Sequence, residues 1–198
     1  STSSASTRTS ASSTSACKGT TPKFLSKHKN FGVVTFQAED EIAGIGAALG
    51  ASYAGSLGVT TTSGPGVALK SETIGLAVSL ELPLIIVDVQ RGGPSTGQPT
   101  KAEQSDLLTV MFGSHGDAPK VVMAASSIED CFYSMITARR IAETFNMVVV
   151  VLSDASLSTA QQPFPRPVFS EDWLAPPVDQ TPVPPGAKPY DWDAVTGL

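Results

Sequence analysis

Cysteine is scarce in this chain of 198 residues, with only Cys17 and Cys131, and histidine is equally rare. The two cysteines stand far apart with no CxxC, which excludes a small disulfide scaffold and leaves no four-cysteine cluster or zinc set within the chain. Any iron-sulfur cluster would therefore belong to a partner. No apolar run approaches the roughly 18 to 20 residues of a membrane span. Positive charge is short as well: 13 Lys and Arg face 18 Asp and Glu, for a net charge of -5, so there is no basic footprint for nucleic acid. Acids are missing before Glu39, while Arg8, Lys18, Lys23, Lys27 and Lys29 precede it, a composition shared with organellar transit peptides. The absence of an apolar h-region argues against secretion.

What remains is 41% hydrophobic, enough for the core of a single α/β domain. Residues 1–16 hold eight Ser and four Thr and too little apolar surface to offset ordering entropy, so a disordered segment over 1–24 is expected. From Pro163 to Leu198 the chain carries nine of its 15 prolines and both tryptophans, Trp173 and Trp192, which implies a linker or an arm lying on a surface over 161–198. The domain itself is expected over 25–160. There, short β-rich runs alternate with longer segments of helical period, the signature of parallel βα units. Strands are expected at 32–37, 59–62, 84–89, 120–124 and 147–153, several nearly continuous in Val, Ile and Leu, as in strands covered on both faces. Helices are expected at 40–56, 67–80, 101–111 and 127–145, the last opened by a capping box over Ser126-Ser127-Ile128-Glu129.

In an open parallel sheet, ligands bind beyond the carboxyl ends of the strands. The loops there carry Glu39-Asp40-Glu41, Ser63-Gly64-Pro65-Gly66, the long run Gln90 to Thr100, and Ser153-Asp154. The third is longer than the usual two to six residues of a βα loop, which points to function. Arg91, flanked by Gly92 and Gly93, suits bidentate capture of a carboxylate or phosphate, although pairing with a surface acid accounts for it equally. Thr100 opens a second capping box, Thr100-Lys101-Ala102-Glu103, and capping alone explains it. The acids at 39–41 fit a helix N-terminus, and Glu41 stands out because the small residues Ala43, Gly44, Gly46, Ala47, Ala48 and Gly50 follow it. Ser63 and Gly64 could cradle a phosphate at a helix start, yet no Walker A sequence or full GxGxxG accompanies them. Gly93-Pro94-Ser95-Thr96-Gly97 formally matches the G-x-S-x-G elbow of serine hydrolases, but Ser95 stands several residues past the strand instead of at a strand-to-helix turn.

Taken together, Phe36-Gln37-Ala38-Glu39-Asp40-Glu41-Ile42-Ala43, Thr62-Ser63-Gly64-Pro65-Gly66, Glu81-Leu82-Pro83 and Val89 through Lys101 resemble the alpha subunit of 2-oxoacid:ferredoxin oxidoreductases, most closely the 2-oxoglutarate type. The resemblance implies a doubly wound, mainly parallel α/β sheet, the thiamine diphosphate-binding fold of pyrimidine type. It implies that Glu41 shares a proton with the aminopyrimidine ring of thiamine diphosphate, with Ser63 and Gly64 beside the cofactor. Arg91 and Thr100 would hold a 2-oxoacid, and Lys101 a second carboxylate or coenzyme A. The implied reaction turns a 2-oxoacid and coenzyme A into an acyl-CoA and carbon dioxide, with electrons passed to ferredoxin, in a cytoplasmic complex without nucleic acid or membrane. Gly116-Asp117-Ala118 is not the GDG motif that binds magnesium and diphosphate, so the magnesium site and the iron-sulfur cluster are assigned to a beta subunit and no metal site to this chain. The family's YPITP-type segment is replaced by Gly19-Thr20-Thr21-Pro22 after the Ser-rich run. The sheet is accordingly expected to be incomplete at its N-terminal strand, and the chain to be a partial alpha subunit. A catalytically incompetent structural remnant is the second reading, and a serine hydrolase a distant third.

Overall fold

The fold is that of a computed structural model, which describes residues 9–13, 25–174, 182, 184–188, 191–192 and 194–195. Six parallel strands form one sheet: β1 (Thr9–Ser13), β2 (Val34–Gln37), β3 (Leu57–Thr62), β4 (Leu84–Gln90), β5 (Val121–Ala124) and β6 (Val148–Asp154), in the order β2-β1-β3-β4-β6-β5. The helices are α1 (Glu41–Tyr53), α2 (Gly64–Ser79), α3 (Leu107–Phe112), α4 (Ile128–Phe145) and the short α5 (Ala155–Thr159). The doubly wound parallel architecture is the expected one.

One part of that expectation is overturned. The sheet is not missing its first strand, because Thr9–Ser13, inside the segment expected to be disordered, lies between β2 and β3 and pairs with both. Composition alone misjudged it, since a strand flanked on both sides is held by its backbone ladder and needs no apolar run of its own. The Gly19 to Pro22 stretch lies outside the described residues.

The core has two halves, one on each face of the sheet. On one face Ile45, Ala48 and Leu49 of α1 and Val67, Ile74 and Ala77 of α2 pack against Leu84, Ile86, Val148, Val150 and Leu152. On the other, Ala138 and Ala142 of α4 meet Leu57, Ile85, Val149 and Val151. Small residues set the spacing: a Cβ on Gly58 of β3 would fall 2.1 Å from the Ala48 carbonyl oxygen, so glycine is what lets α1 close on the strand. Ser52 fastens the same junction, its hydroxyl donating to the Pro83 carbonyl at 2.5 Å and accepting from Gly58 N–H at 3.0 Å.

Local signals were displaced in two places. The capping box of α4 uses Ser127 and Asp130 in place of Ser126 and Glu129: Ser127 Oγ accepts from Asp130 N–H at 3.0 Å, and the Asp130 carboxylate accepts from Ser126 N–H at 2.7 Å. The bonds from the Ser126 N–H and hydroxyl hold the Asp130 carboxyl below the usual carboxylate range. The helix expected at 101–111 shrinks to α3, because the backbone and side chains of 100–105 bond to the preceding loop and to strand ends instead of to each other. After α5 the chain runs back over α4, where Trp173 meets Phe132 at 6.0 Å, Tyr133 at 5.8 Å and Phe169 at 6.1 Å between ring centroids.

Candidate functional site

The strand order reverses at β1 and β3, which opens a crevice at the carboxyl edge of the sheet. The loop after β3 and the start of α1 lie on this edge. Asp40 caps α1 by accepting from Ala43 N–H at 2.7 Å, which leaves Glu41 as the first helical residue, half-buried. Its side chain lies against α2: a Cβ on Gly66 would come within 2.8 Å of Glu41 Cγ and 2.0 Å of Thr62 Oγ1. The bare glycine therefore makes room for the carboxylate stem. Along α1, Cβ atoms on Gly46 and Gly50 would meet nothing within 4 Å, so this exposed face is open to a close neighbour.

Beneath Glu41 sits a residue that sequence reasoning missed. Lys70 of α2 has no exposed surface, and its ammonium donates to the Glu41 carbonyl oxygen at 2.7 Å and to Thr60 Oγ1 at 3.3 Å. Burial pushes its pKa down to about 8, while the carboxylates of Glu41 and Asp40 pull it back up. The signal was present in the sequence, for Lys70 falls on the same helical stripe as Gly66, Val67, Ile74 and Ala77.

Ser63 caps α2 by position only. Its hydroxyl is buried and makes no hydrogen bond, an orphan polar atom at a helix N-terminus beside Gly64. Over Gly64 lies the Asp106 carboxylate, 2.5 Å from where a Cβ would stand. Asp106 in turn neighbours Asp88, fully buried near the end of β4, and neither aspartate appeared among the expected site residues.

Arg91 follows β4 directly and is half-buried. Its Nη2 donates to the Thr96 carbonyl at 2.8 Å, whereas Nε is buried without a partner. The loop beyond it folds tightly: Gly97, at φ +60°, places its N–H on Pro94 O at 3.0 Å and would drive a Cβ into the Gly92 carbonyl. Gln98 N–H donates to Gly92 O at 2.8 Å, and Gly92 N–H to Lys101 O at 2.9 Å, which brings Lys101 back beside the strand end. Thr100 and Lys101 are exposed on this return limb, and Thr100 caps no helix. Ser95 stands exposed in the turn at φ +58°, and among the described residues no histidine or acid is hydrogen-bonded to it, so the arrangement of a serine nucleophile is absent there.

The aminopyrimidine half of thiamine diphosphate fits these residues: a half-buried carboxylate at an open edge, a glycine that clears space for it, and an orphaned buried hydroxyl close by. Among the described residues no group of three or more His, Cys, Asp or Glu converges as a metal ligand set. No helix among them is long and apolar enough to cross a membrane.

Residues 14–177 match the family model described as pyruvate flavodoxin/ferredoxin oxidoreductase, thiamine diP-binding. The chain belongs to this family. Similar members include the 2-oxoglutarate oxidoreductase subunit KorA of Mycobacterium tuberculosis, 53% identical over 174 residues, which are 87% of this chain and 26% of that protein. The 2-oxoglutarate synthase subunit KorA of Methanothermobacter marburgensis is 50% identical over 62% of this chain and 33% of its own length. Among solved structures, 2-oxoglutarate:ferredoxin oxidoreductase from Magnetococcus marinus, with 2-oxoglutarate, coenzyme A and succinyl-CoA bound, superposes with a TM-score of 0.87 at 41% identity, covering 96% of this chain and 33% of that one. The chain thus spans about a quarter to a third of the length of these family members.

Proposed function

We propose that this chain is the pyrimidine-binding part of an alpha subunit that, with a beta-type partner, oxidatively decarboxylates a 2-oxoacid to its acyl-CoA and passes the electrons to ferredoxin. The observation that carries the reading is Glu41, presented at the start of α1 over the bare Gly66 beside the strand-order reversal. When bound, thiamine diphosphate supplies the electron sink for the pair released as the 2-oxoacid loses carbon dioxide. Glu41 would share a proton with the pyrimidine ring, and the buried Lys70 ammonium keeps the helix start and its carboxylate in place. The Ser63 hydroxyl and the Gly64 backbone line the same edge beside the cofactor.

Arg91 takes the carboxylate next to the oxo group, for which its unpartnered Nε is a donor in waiting. Thr100 contributes a hydroxyl to the same substrate, and Lys101 a positive charge for a second carboxylate or for coenzyme A. The 2-oxoglutarate preference is supported by the relatives named for that substrate. Magnesium, the diphosphate site and the iron-sulfur cluster are assigned to the beta subunit, in keeping with the two cysteines of this chain and its lack of a GDG motif. A cytoplasmic setting goes with this assignment. The remnant reading rested on a missing first strand, and β1 removes that ground.

The test is the purified complex, assayed anaerobically for reduction of a low-potential dye with 2-oxoglutarate, coenzyme A and thiamine diphosphate. Turnover should need all three, and Arg91→Ala should raise KM for the 2-oxoacid by about tenfold or more, the scale of a lost charge-assisted bond. Unchanged kinetics in Arg91→Ala would remove Arg91 from the substrate site.

A further inference from the structure

The buried Asp88 and the half-buried Asp106 form a pair that the proposed chemistry does not use. Asp88 projects from β4, fully buried, and neither of its carboxyl oxygens has a donor; Asp106 Oδ2 is buried and equally without one. Two facing carboxylates cannot satisfy each other, because each is an acceptor only. A single proton turns one group into a donor for the other and satisfies two of the three orphaned oxygens. The surroundings decide which group keeps the charge. Asp106 lies over Gly64, at the first residue of the 16-residue α2, where the unsatisfied N–H groups favour an anion. Asp88 is the more deeply enclosed and becomes the acid that donates.

We propose that Asp88 and Asp106 hold one proton between them, and that this proton locks the loop from Arg91 to Ser105 onto the carboxyl edge of the sheet. The rest of the return limb shows what the lock completes. Asp106 N–H donates to Gln90 Oε1 at 3.0 Å, Gln104 Nε2 to Asp154 at 2.8 Å, and Gly93 N–H to Glu103 at 2.9 Å. The limb is thereby tied to β4, to β6 and to itself, and Asp106 is where it re-enters the fold. Without the proton, two negative charges would face each other at that point and push the limb outward. Rested on the function proposed above, the pair positions Arg91 and Thr100 without touching substrate.

The other charged group acting on the pair is Glu103 of the loop, which also disfavours a second negative charge. On α2 the nearest ammonium, Lys70, is committed to the Glu41 carbonyl and Thr60; across the sheet, the register neighbours of Asp88 are Thr62 and Leu152. Burial first and then Asp106 raise the Asp88 pKa to about 8, and burial raises that of Asp106 as well. The folded chain keeps a proton that an unfolded one releases near pH 4. The contribution of the pair therefore declines as pH rises from about 4 to about 8 and is at its lowest above that.

The experiment uses the full chain in its complex, without substrate. Infrared difference spectra follow the carbonyl band of a protonated carboxyl from pH 6 to 9.5, and hydrogen exchange, corrected for intrinsic rates, follows the backbone at 91–105 over the same range. The expected result is a band that disappears with a midpoint near 8, accompanied by a loss of loop protection of about tenfold. In Asp88→Asn, whose amide donates at every pH, the band should be absent and loop protection flat. Should that variant not fold, the coincidence of the two titrations in the unaltered protein is itself decisive. A complex with no protonated carboxyl band at pH 6, or one whose loop protection ignores the titration, overturns the proposal. Neither readout involves turnover, so an inactive enzyme with an intact titration would count against the function and not against the lock.

Discussion

Replacing Lys70 with methionine should make the protein more stable. The ammonium is wholly buried and its pKa falls from 10.5 to about 8, so carrying the charge at pH 7 costs about 3 kcal/mol at 1.36 kcal/mol per unit. Against this stand two hydrogen bonds, to Glu41 O and Thr60 Oγ1, each worth about 1 kcal/mol. Glu41 keeps its access to water, and its carbonyl can be served within the helix; the fully buried Thr60 hydroxyl is the group that loses its partner, a long bond at 3.3 Å that is one of the two. Lys70→Met, close in length and apolar, is thus expected to gain about 1 kcal/mol, or a Tm increase of about 2–4 °C for a domain of this size. The sign with pH follows from linkage. The unfolded chain binds the proton up to 10.5 and the folded one only to about 8, so stability attributable to Lys70 rises between those values. Urea unfolding of both proteins at pH 7, 8 and 10 tests this: their difference should shrink as Lys70 becomes neutral. Destabilisation by 1 kcal/mol or more (about) at pH 7, or a difference independent of pH, would refute the argument that the charge is kept at a cost for the sake of the Glu41 site.

Gly66→Ala places a methyl where Thr62 Oγ1 and Glu41 Cγ already stand, and should cost about 1–3 kcal/mol by overpacking despite alanine's better helix propensity; urea unfolding reads it, and a stabilised variant would show that the Glu41 stem moves aside freely. Trp173→Ala removes two ring contacts that hold the Pro-rich arm on α4 and one within the arm, each worth about 0.5–1.5 kcal/mol. Limited proteolysis between 160 and 173 should accelerate by about tenfold or more, with urea unfolding of the domain little changed; equal cleavage rates would mean that the arm is held elsewhere.

The parallel sheet was legible because β4 and β6 are runs of β-branched and aliphatic residues between helical periods, a pattern that burial on both faces demands. The carboxyl edge was legible for the same reason, since strand direction places the loops of Glu41, Ser63 and Arg91 on one side. Thr9–Ser13 was not, because a backbone ladder leaves no imprint on side-chain hydrophobicity. Helix start signals at Thr100 misled for a physical reason too: Glu103 and Gln104 find partners in Gly93 and Asp154, and a local box cannot compete with contacts fixed by the sheet. Lys70 and Asp88 were legible in principle. Each is a charge set into an apolar stripe or strand, and such a residue must find a partner or change its protonation. Their partners, Glu41 O and Asp106, become neighbours only once the sheet is assembled.

The pyrimidine-site assignment rests most heavily on Glu41, and hydrogen exchange over α1 in the assembled complex tests it directly. With thiamine diphosphate added, amides in the first turns of Glu41–Tyr53 should gain protection in the unaltered protein, and Glu41→Gln should abolish most of that gain while leaving the cofactor-free pattern unchanged. An α1 that gains no protection on cofactor addition, or gains as much in Glu41→Gln as in the unaltered protein, would contradict the placement of the cofactor against this helix.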